Sequence, residues 1–306
     1  MQRICAVLVT YNRKLLLRET LAALREQTRP PQTVLVIDNA GTDGSAQMLG
    51  REFPYVVVLT LPKNIGSSGG YRVGIDWAAR HCFDWIWTLD DDSLPKPDAL
   101  AALLQCRDRF DPSSRPDLLA SKVVWTDGSL HPMNIPKPKL YNAEQQFAAA
   151  QNAAMSIRFT SFVSLLLHRR LVAAHGLPLS GYFMWNDDVE YTGRILRHEF
   201  GVMAPASVVV HNTAVKYVPA ASVGSKFFYE VRNKLWILRH SQAFDRGEKW
   251  WMARSLARRT WRHLRQTRFA GQSVWAVLRA MGAGIGPMPP EDAIAPPAPV
   301  ARALAA

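Results

Sequence analysis

The sequence predicts an α/β fold: a doubly wound sheet read as parallel, followed by a C-terminal helical extension. Three observations carry that expectation. Short apolar runs of strand length alternate with helical stretches through the N-terminal third of the chain. Each of those runs is followed by polar or acidic residues, as at the ligand-facing ends of such sheets. The positive charge, finally, is crowded into one late region: residues 232–279 hold twelve Lys and Arg against Asp245 and Glu248, within a chain whose net charge is +12. The rest is close to neutral, as an ordinary enzyme body would be.

Taken in order, Ile4–Val9 is the first strand, and Lys14–Gln27 follows with leucines at 15, 16, 17, 21 and 24, a helical recurrence. Val34–Ile37, ending in Asp38-Asn39, is the second strand, and Gly41–Gly44 turns the chain into a helix over Ser45–Glu52. Val56–Leu59 is the third strand, Gly70–His81 a helix and Asp84–Leu89 the fourth strand. Beyond them come a helix over Pro97–Arg109, a strand over Leu118–Trp125, and a loop then helix within Thr126–Ala154 beside the site, read as an acceptor-side lid. Thr160–Leu167 reads as one strand, Arg169–His175 as a short helix closed by Gly176, and a further helix runs to about His198 before the strand Val208–Val210, which ends in His211.

At 306 residues, nearly half of them apolar, the chain has room for one large α/β domain and an appendage. Three cysteines without metal-type spacing argue against a zinc site and a disulfide framework and for a reduced, cytoplasmic setting. Arg3 and the apolar run after it are too short for a signal peptide and lack a cleavage site, and no run approaches a membrane span.

The chemistry centres on Trp85–Ser93, where an apolar strand runs into Asp90-Asp91-Asp92, with Pro95 and Pro97 preventing its continuation. Three adjacent like charges repel, so at the exposed end of a core strand they point to a bound cation. Alternate residues of an extended segment face the same way, which makes Asp90 and Asp92 the natural pair for one divalent ion. An acidic cap on the following helix is the plainer alternative.

Asn64–Arg72 is a glycine cluster that matches neither the phosphate loop nor the dinucleotide fingerprint. Glycines before a helix still let backbone amides approach an anion, with Gly70 at the helix start and Arg72 in the first turn able to meet a phosphate. Gly181–Tyr191 forms a second constellation, in which Asp187, Asp188 and Glu190 open a helix beside Trp185. Helix-dipole complementation explains such acids by itself, and a general base packed against an aromatic ring is the functional reading. His211, a histidine ending a strand near a candidate cation site, is either structural or a metal ligand.

In the basic region, Phe227, Phe228, Tyr229, Trp236, Trp250, Trp251, Trp261, Phe269 and Trp275 interleave with the cations. Arginines among tryptophans suit an anionic membrane surface, and no nucleic-acid motif accompanies the charge, so nucleic acid is not expected as a partner. The expected division is a catalytic domain over 1–225, a basic, Trp-rich helical region over 226–286 and a disordered Pro/Ala tail over 287–306.

Val7–Arg13, Val36–Asn39, Asn64–Gly66, Asp90–Asp92 and Trp185–Glu190, in this order, resemble the inverting glycosyltransferases of family 2. The resemblance spans roughly residues 3–240. Gly66–Gly70, Trp185–Glu190 and Tyr229–Asn233 look most like the bacterial galactofuranosyltransferases and, nearly as much, rhamnosyltransferases. It implies the GT-A fold, a Rossmann-like doubly wound mixed sheet. It also implies that Thr10 and Asp38 hold the donor nucleoside, with Asn64, Gly70 and Arg72 near the ribose or diphosphate. Asp90 and Asp91 would contact the donor, and Asp90, Asp92 and His211 a Mn²⁺ or Mg²⁺ ion. Asp188 would be the catalytic base and Trp185 the platform for the acceptor sugar; because this chain has Asp187-Asp188 where much of the family has Glu-Asp, Asp187 is the alternative base. The expected donor is UDP-galactofuranose, with dTDP-rhamnose second, and the expected acceptor a cell-surface glycan or glycolipid at the inner face of the cell membrane. Two other classes stay open: a nucleotidyltransferase, and a non-catalytic lipid- or nucleic-acid-binding protein.

Overall fold

A computed structural model describes residues 2–216 and 226–288; residues 289–306, nearly all of the expected tail, lie outside the described residues. In chain order the elements are β1 (Ile4–Thr10), α1 (Lys14–Arg25), β2 (Thr33–Asp38), α2 (Ser45–Glu52), β3 (Val57–Thr60), α3 (Gly66–Arg80), β4 (Trp85–Asp90), β5 (Ser93–Pro95), α4 (Ala99–Asp108), β6 (Leu118–Val124) and β7 (Lys137–Pro138). They continue with α5 (Ala143–Gln151), β8 (Met155–Phe159), β9 (Leu165–His168), α6 (Arg169–His175), α7 (Asp187–Leu196), β10 (Gly201–His211), α8 (Phe227–His240), α9 (Arg246–Gln266) and α10 (Gly271–Ile285).

The sheet order is β3-β2-β1-β4-β9-β6-β10-β8-β7, with β5 added against β10. β3, β2, β1 and β4 are mutually parallel, whereas β9 runs antiparallel between β4 and β6, so the sheet is mixed rather than wholly parallel. Every residue of β1 is buried, which explains its unbroken apolar run. Ile4, Ala6 and Leu8 pack with α1, α2 and α4 residues such as Leu21, Leu49 and Leu103. Cys5, Val7 and Val9 face the opposite layer, with Ile75 of α3 and Ile195 of α7.

Where α3 crosses β1 the packing leaves no room for a side chain at Gly74, since a Cβ there would sit 2.3 Å from Val7 Cγ1. Gly74→Ala is therefore expected to lower stability by about 1–3 kcal/mol through overpacking. Gly282 in α10 has nothing within 4 Å of the same position, and Gly282→Ala should instead add about 0.5–1 kcal/mol. Urea midpoints of the two variants, moving in opposite directions, check this; a shared direction would contradict it.

Four expectations are corrected. α3 starts at Gly66 rather than Gly70, because Gly66 supplies a backbone φ of +77° and Asn64 Oδ1 accepts its N–H at 2.8 Å; Arg72 thus lies in the second turn. The carboxylate run is not followed directly by a helix: a short strand, β5, intervenes, closed by Pro95 and paired antiparallel with the end of β10. The stretch expected as one strand over 160–167 is instead a loop after β8 followed by β9. There the Thr160 N–H goes to Thr192 Oγ1 at 3.0 Å and Ser164 adopts φ +54°. β10 begins at Gly201, seven residues before the strand expected from Val208, and its pairing with β6 shifts register between Ala204 and Val208, around Pro205.

The C-terminal helices pack on one another through Phe227, Val231, Leu256, Val277 and Ala280. They join the body at a buried arginine. Arg158 of β8 donates to both carboxylate oxygens of Glu248, at 2.7 and 3.0 Å, to the Gly193 carbonyl at 2.6 Å, and to the Ala243 carbonyl. Glu248 also completes the capping box that starts α9, so one side chain fixes the helix start and docks it.

Candidate functional site

The carboxyl ends of β1, β2 and β4 lie side by side, with Thr10 opposite Asp38 and Val9 opposite Asp90 in the ladders. Asp90 and Asp92 face one side, and β5 then pairs with β10 so that His211 lies opposite Ser93. The Asn212 N–H bonds the Asp92 carbonyl at 2.8 Å and pins that junction. Two segments more than a hundred residues apart thereby meet: Asp90, Asp92 and His211 each offer a ligand atom within 4.8 Å of the others.

These three residues suit a divalent cation. Asp92 Oδ1 lies 3.1 Å from His211 Nε2, but off the direction a hydrogen bond requires, and this buried oxygen has no hydrogen-bond partner. Asp90 Oδ2 is 3.9 Å from the same nitrogen. His211 Nδ1 is 2.8 Å from Asn134 Oδ1, whose own amide donates to Ser161 at 3.0 Å. With the Asn134 oxygen as acceptor, Nδ1 carries a proton and Nε2 is the ring nitrogen a cation would take, the outer support a metal-binding histidine needs. Tyr71 donates to Asp90 Oδ1 at 2.5 Å.

Asp91 faces away from that group. Its carboxylate accepts from Thr10 Oγ1 at 2.8 Å and from Arg13 at 3.2 Å, and the same Arg13 nitrogen reaches Asp92 at 2.7 Å. Burial raises Asp91 to a pKa of about 7, Arg13 opposing, and raises Asp90 with the Asp92 charge adding. Asp92 goes the other way: burial alone would raise it, yet His211 and Arg13 bring it below the usual carboxylate value.

Asp38 is almost wholly buried; Oδ1 accepts the Gly41 N–H at 2.8 Å, while Oδ2 has no hydrogen-bond partner and burial raises the pKa. Asn39 holds the chain at the start of α3 by bonding the Ile65 N–H and the Gly66 carbonyl, both at 2.9 Å. Gly70 is packed against β1, where a Cβ would lie 2.5 Å from Val9 Cγ1, and Arg72 donates to the Pro178 carbonyl at 2.9 Å.

Asp187 and Asp188 open α7. Burial raises Asp187 to about 6 against the opposing Ser68 hydroxyl, and raises Asp188 well above the usual carboxylate range, with the Asp187 charge next in importance. The Asp90 charge adds to both shifts. Asp187 is buried and Asp188 is the more open of the two, its Oδ1 accepting the Val189 N–H at 2.7 Å.

The loop before α7 is strained. Phe183, Trp185 and Asn186 have φ of +64°, +64° and +65°, each costing about 1–2 kcal/mol for a residue with a Cβ. The fold imposes this from α8 and α3. Asn233 Nδ2 donates to the carbonyls of Tyr182, Met184 and Trp185 at 3.0, 2.7 and 2.8 Å. Arg232 donates to those of Gly181 and Tyr182, and Asn186 donates to Glu230 at 3.1 Å. The Ser68 N–H of α3 donates to the Phe183 carbonyl at 3.2 Å.

Sequence reading missed Arg13, Tyr71, Asn134 and the bond from Asn233 to the loop. Arg13 lies in the run Val7–Arg13 and Asn233 in Tyr229–Asn233, so both were visible in the resemblance though not as parts of a site.

The sequence model of the family described as Glycosyl transferase family 2 matches residues 5–162. Galactofuranosyltransferase GlfT1 of Mycobacterium tuberculosis is 27% identical over 213 residues, 64% of this chain and 65% of that protein's length. An N-acetylglucosaminyl-diphospho-decaprenol L-rhamnosyltransferase of the same species is 24% identical over 234 residues, 68% of this chain and 75% of its own. Among solved structures, the mannosyltransferase PcManGT from Pyrobaculum calidifontis, in complex with GDP-Man and Mn²⁺, superposes with a TM-score of 0.57 at 19% identity, covering 94% of this chain and 76% of that one.

Proposed function

The chain belongs to glycosyl transferase family 2 and is a glycosyltransferase of the GT-A fold, and from that premise we propose an inverting, metal-dependent transfer of galactofuranose. The donor is a UDP-sugar and the acceptor a hydroxyl of a glycan or lipid-linked glycan. One observation carries this reading: Asp90, Asp92 and His211 each place a ligand atom within 4.8 Å of the others, the grouping a divalent cation requires, at the carboxyl end of β4 in a chain of this family. The nucleotidyltransferase and non-catalytic alternatives give way to the family membership.

In this reading Asp38 and Thr10 hold the nucleoside, the partnerless Asp38 Oδ2 accepting a donor N–H or O–H. Asn64 and Gly70 lie along the ribose and diphosphate, with Asp91 holding Thr10 and Arg13 in place. Arg72 joins them on releasing the Pro178 carbonyl. Asp90, Asp92 and His211 would hold Mn²⁺ or Mg²⁺, which when bound supplies positive charge to stabilise the departing diphosphate. Trp185 packs on the acceptor sugar. Asp188, with its raised proton affinity, takes the proton from the attacking hydroxyl. That oxygen forms the new bond to the anomeric carbon from the face opposite the breaking bond to diphosphate, so the configuration inverts.

Incubation with UDP-galactofuranose, or with dTDP-rhamnose, plus Mn²⁺ and a polyprenyl-diphosphate disaccharide tests this reading, with nucleoside diphosphate release and product mass as readouts. Release from the UDP donor supports it. Release from the dTDP donor alone moves the assignment to rhamnose, the second reading, which the rhamnosyltransferase relative favours; release from neither contradicts both.

We also propose that 226–286 rests on an anionic membrane surface at the inner face of the cell membrane, leaving the 1–225 body in the cytoplasm. No helix among the described residues is long and apolar enough to span a bilayer. Phe227 and Trp236 are core residues, but Trp250, Trp251 and Trp261 on the Arg-rich α9, and Trp275 on α10 four residues before Arg279, are each more than half exposed. Trp250→Ala combined with Trp251→Ala and Trp275→Ala should weaken binding to phosphatidylglycerol vesicles at least about tenfold in a sedimentation assay. Unchanged binding would give those tryptophans another role.

A further inference from the structure

We propose that Asn233 is a positioning residue for transfer, acting with Glu230 to hold the Phe183–Asn186 loop and so to fix where Trp185 and Asp188 stand. This rests on the reading of Asp188 as base, and deepens it. Asn233 is fully buried on α8, 48 to 51 residues beyond the carbonyls it grips. Its amide has two hydrogens and meets three backbone carbonyls, so all of its donor capacity is spent on one turn. Glu230 fixes the end of that turn through Asn186, and is itself held by Lys234 at 2.8 Å and by Arg259 of α9 at 3.2 Å. Phe183 stacks on Tyr229 of α8, ring centres 5.3 Å apart. Left-handed backbone at Phe183, Trp185 and Asn186 does not persist on local preference; it persists where the surroundings over-determine it, and here α8 supplies most of those contacts. None of the three α8 side chains reaches Asp38, Asp90 or Asp92 through a hydrogen bond, so the donor half of the site does not depend on them directly.

The test uses the full chain carrying Asn233→Asp, which keeps size but sets a carboxylate against three carbonyls, and separately Asn186→Gly. Glycine adopts the left-handed backbone without cost yet cuts the tie to Glu230, and it serves if the aspartate variant does not fold. Hydrogen exchange at the amides of 183–189 should rise at least about tenfold while β1 and β2 stay protected. The kcat with UDP-galactofuranose should fall about 10- to 100-fold, as misplacement of reacting groups by about an ångström does. The donor KM and the Mn²⁺-dependent affinity for UDP should stay within about twofold. Unchanged exchange with normal kcat, or a matched loss of kcat and UDP affinity, would overturn the proposal. Failure of the base assignment looks different: Asp188→Asn would then keep its activity while loop exchange in Asn233→Asp still rises.

Discussion

Asp188→Asn is expected to lower transfer by about 10²- to 10⁴-fold while leaving Mn²⁺-dependent UDP binding intact, because an amide cannot take the acceptor's proton. The loss should not come from unfolding. The folded pKa of Asp188 is raised, by burial first and the Asp187 charge next. A carboxyl whose folded pKa lies above its unfolded value favours folding most at low pH and loses that contribution as pH rises between the two values. Ionising the group therefore costs the fold free energy, and the neutral amide should match or exceed the parent in thermal midpoint. The same shift sets the acid side of the pH–rate profile. The base works ionised, so activity should fall as pH drops through its raised pKa, a limb well above the usual carboxylate range. A limb near pH 4, or near-normal transfer by Asp188→Asn, would remove Asp188 from the role; Asp187→Asn with the larger loss would pass it to Asp187, itself raised to about 6.

Asp92→Ala and His211→Ala are expected to remove the Mn²⁺ enhancement of UDP binding. The loss should reach at least the roughly 10- to 100-fold that even an outer-sphere partner typically costs. Asn134→Ala tests that outer partner, since it frees His211 Nδ1 and unsettles the tautomer that keeps Nε2 available; about a tenfold loss is expected. Titrating Mn²⁺ into each variant at fixed UDP reads all three. If Asp92→Ala keeps the metal enhancement, the cation is held elsewhere.

The parts of this site made by local pattern were legible in the chain. The run Trp85–Leu89 announced β4, which ends at Asp90; Asp91 and Asp92 form the turn into β5, and that turn, not strand alternation, sets Asp92 beside Asp90 and Asp91 toward Thr10. What local pattern cannot carry is pairing between distant segments. The three-residue β5 is too short to show a period, yet it is what delivers His211 to Asp92. Thr160–Ser164 has strand-like composition, but its groups bond to Thr192 and Thr88, so tertiary contacts override the preference. The loop at 183–186 contains no glycine to advertise positive φ, and the side chains that force it lie on α8.

Calorimetric titration of the full chain with UDP and with dTDP, each with and without Mn²⁺, reads the metal-assisted nucleotide site itself. UDP is expected to bind more tightly when Mn²⁺ is present, and dTDP more weakly than UDP under both conditions. UDP affinity that does not change with Mn²⁺, or no binding of either nucleotide, would contradict a metal-assisted nucleotide-sugar site at Asp90, Asp92 and His211.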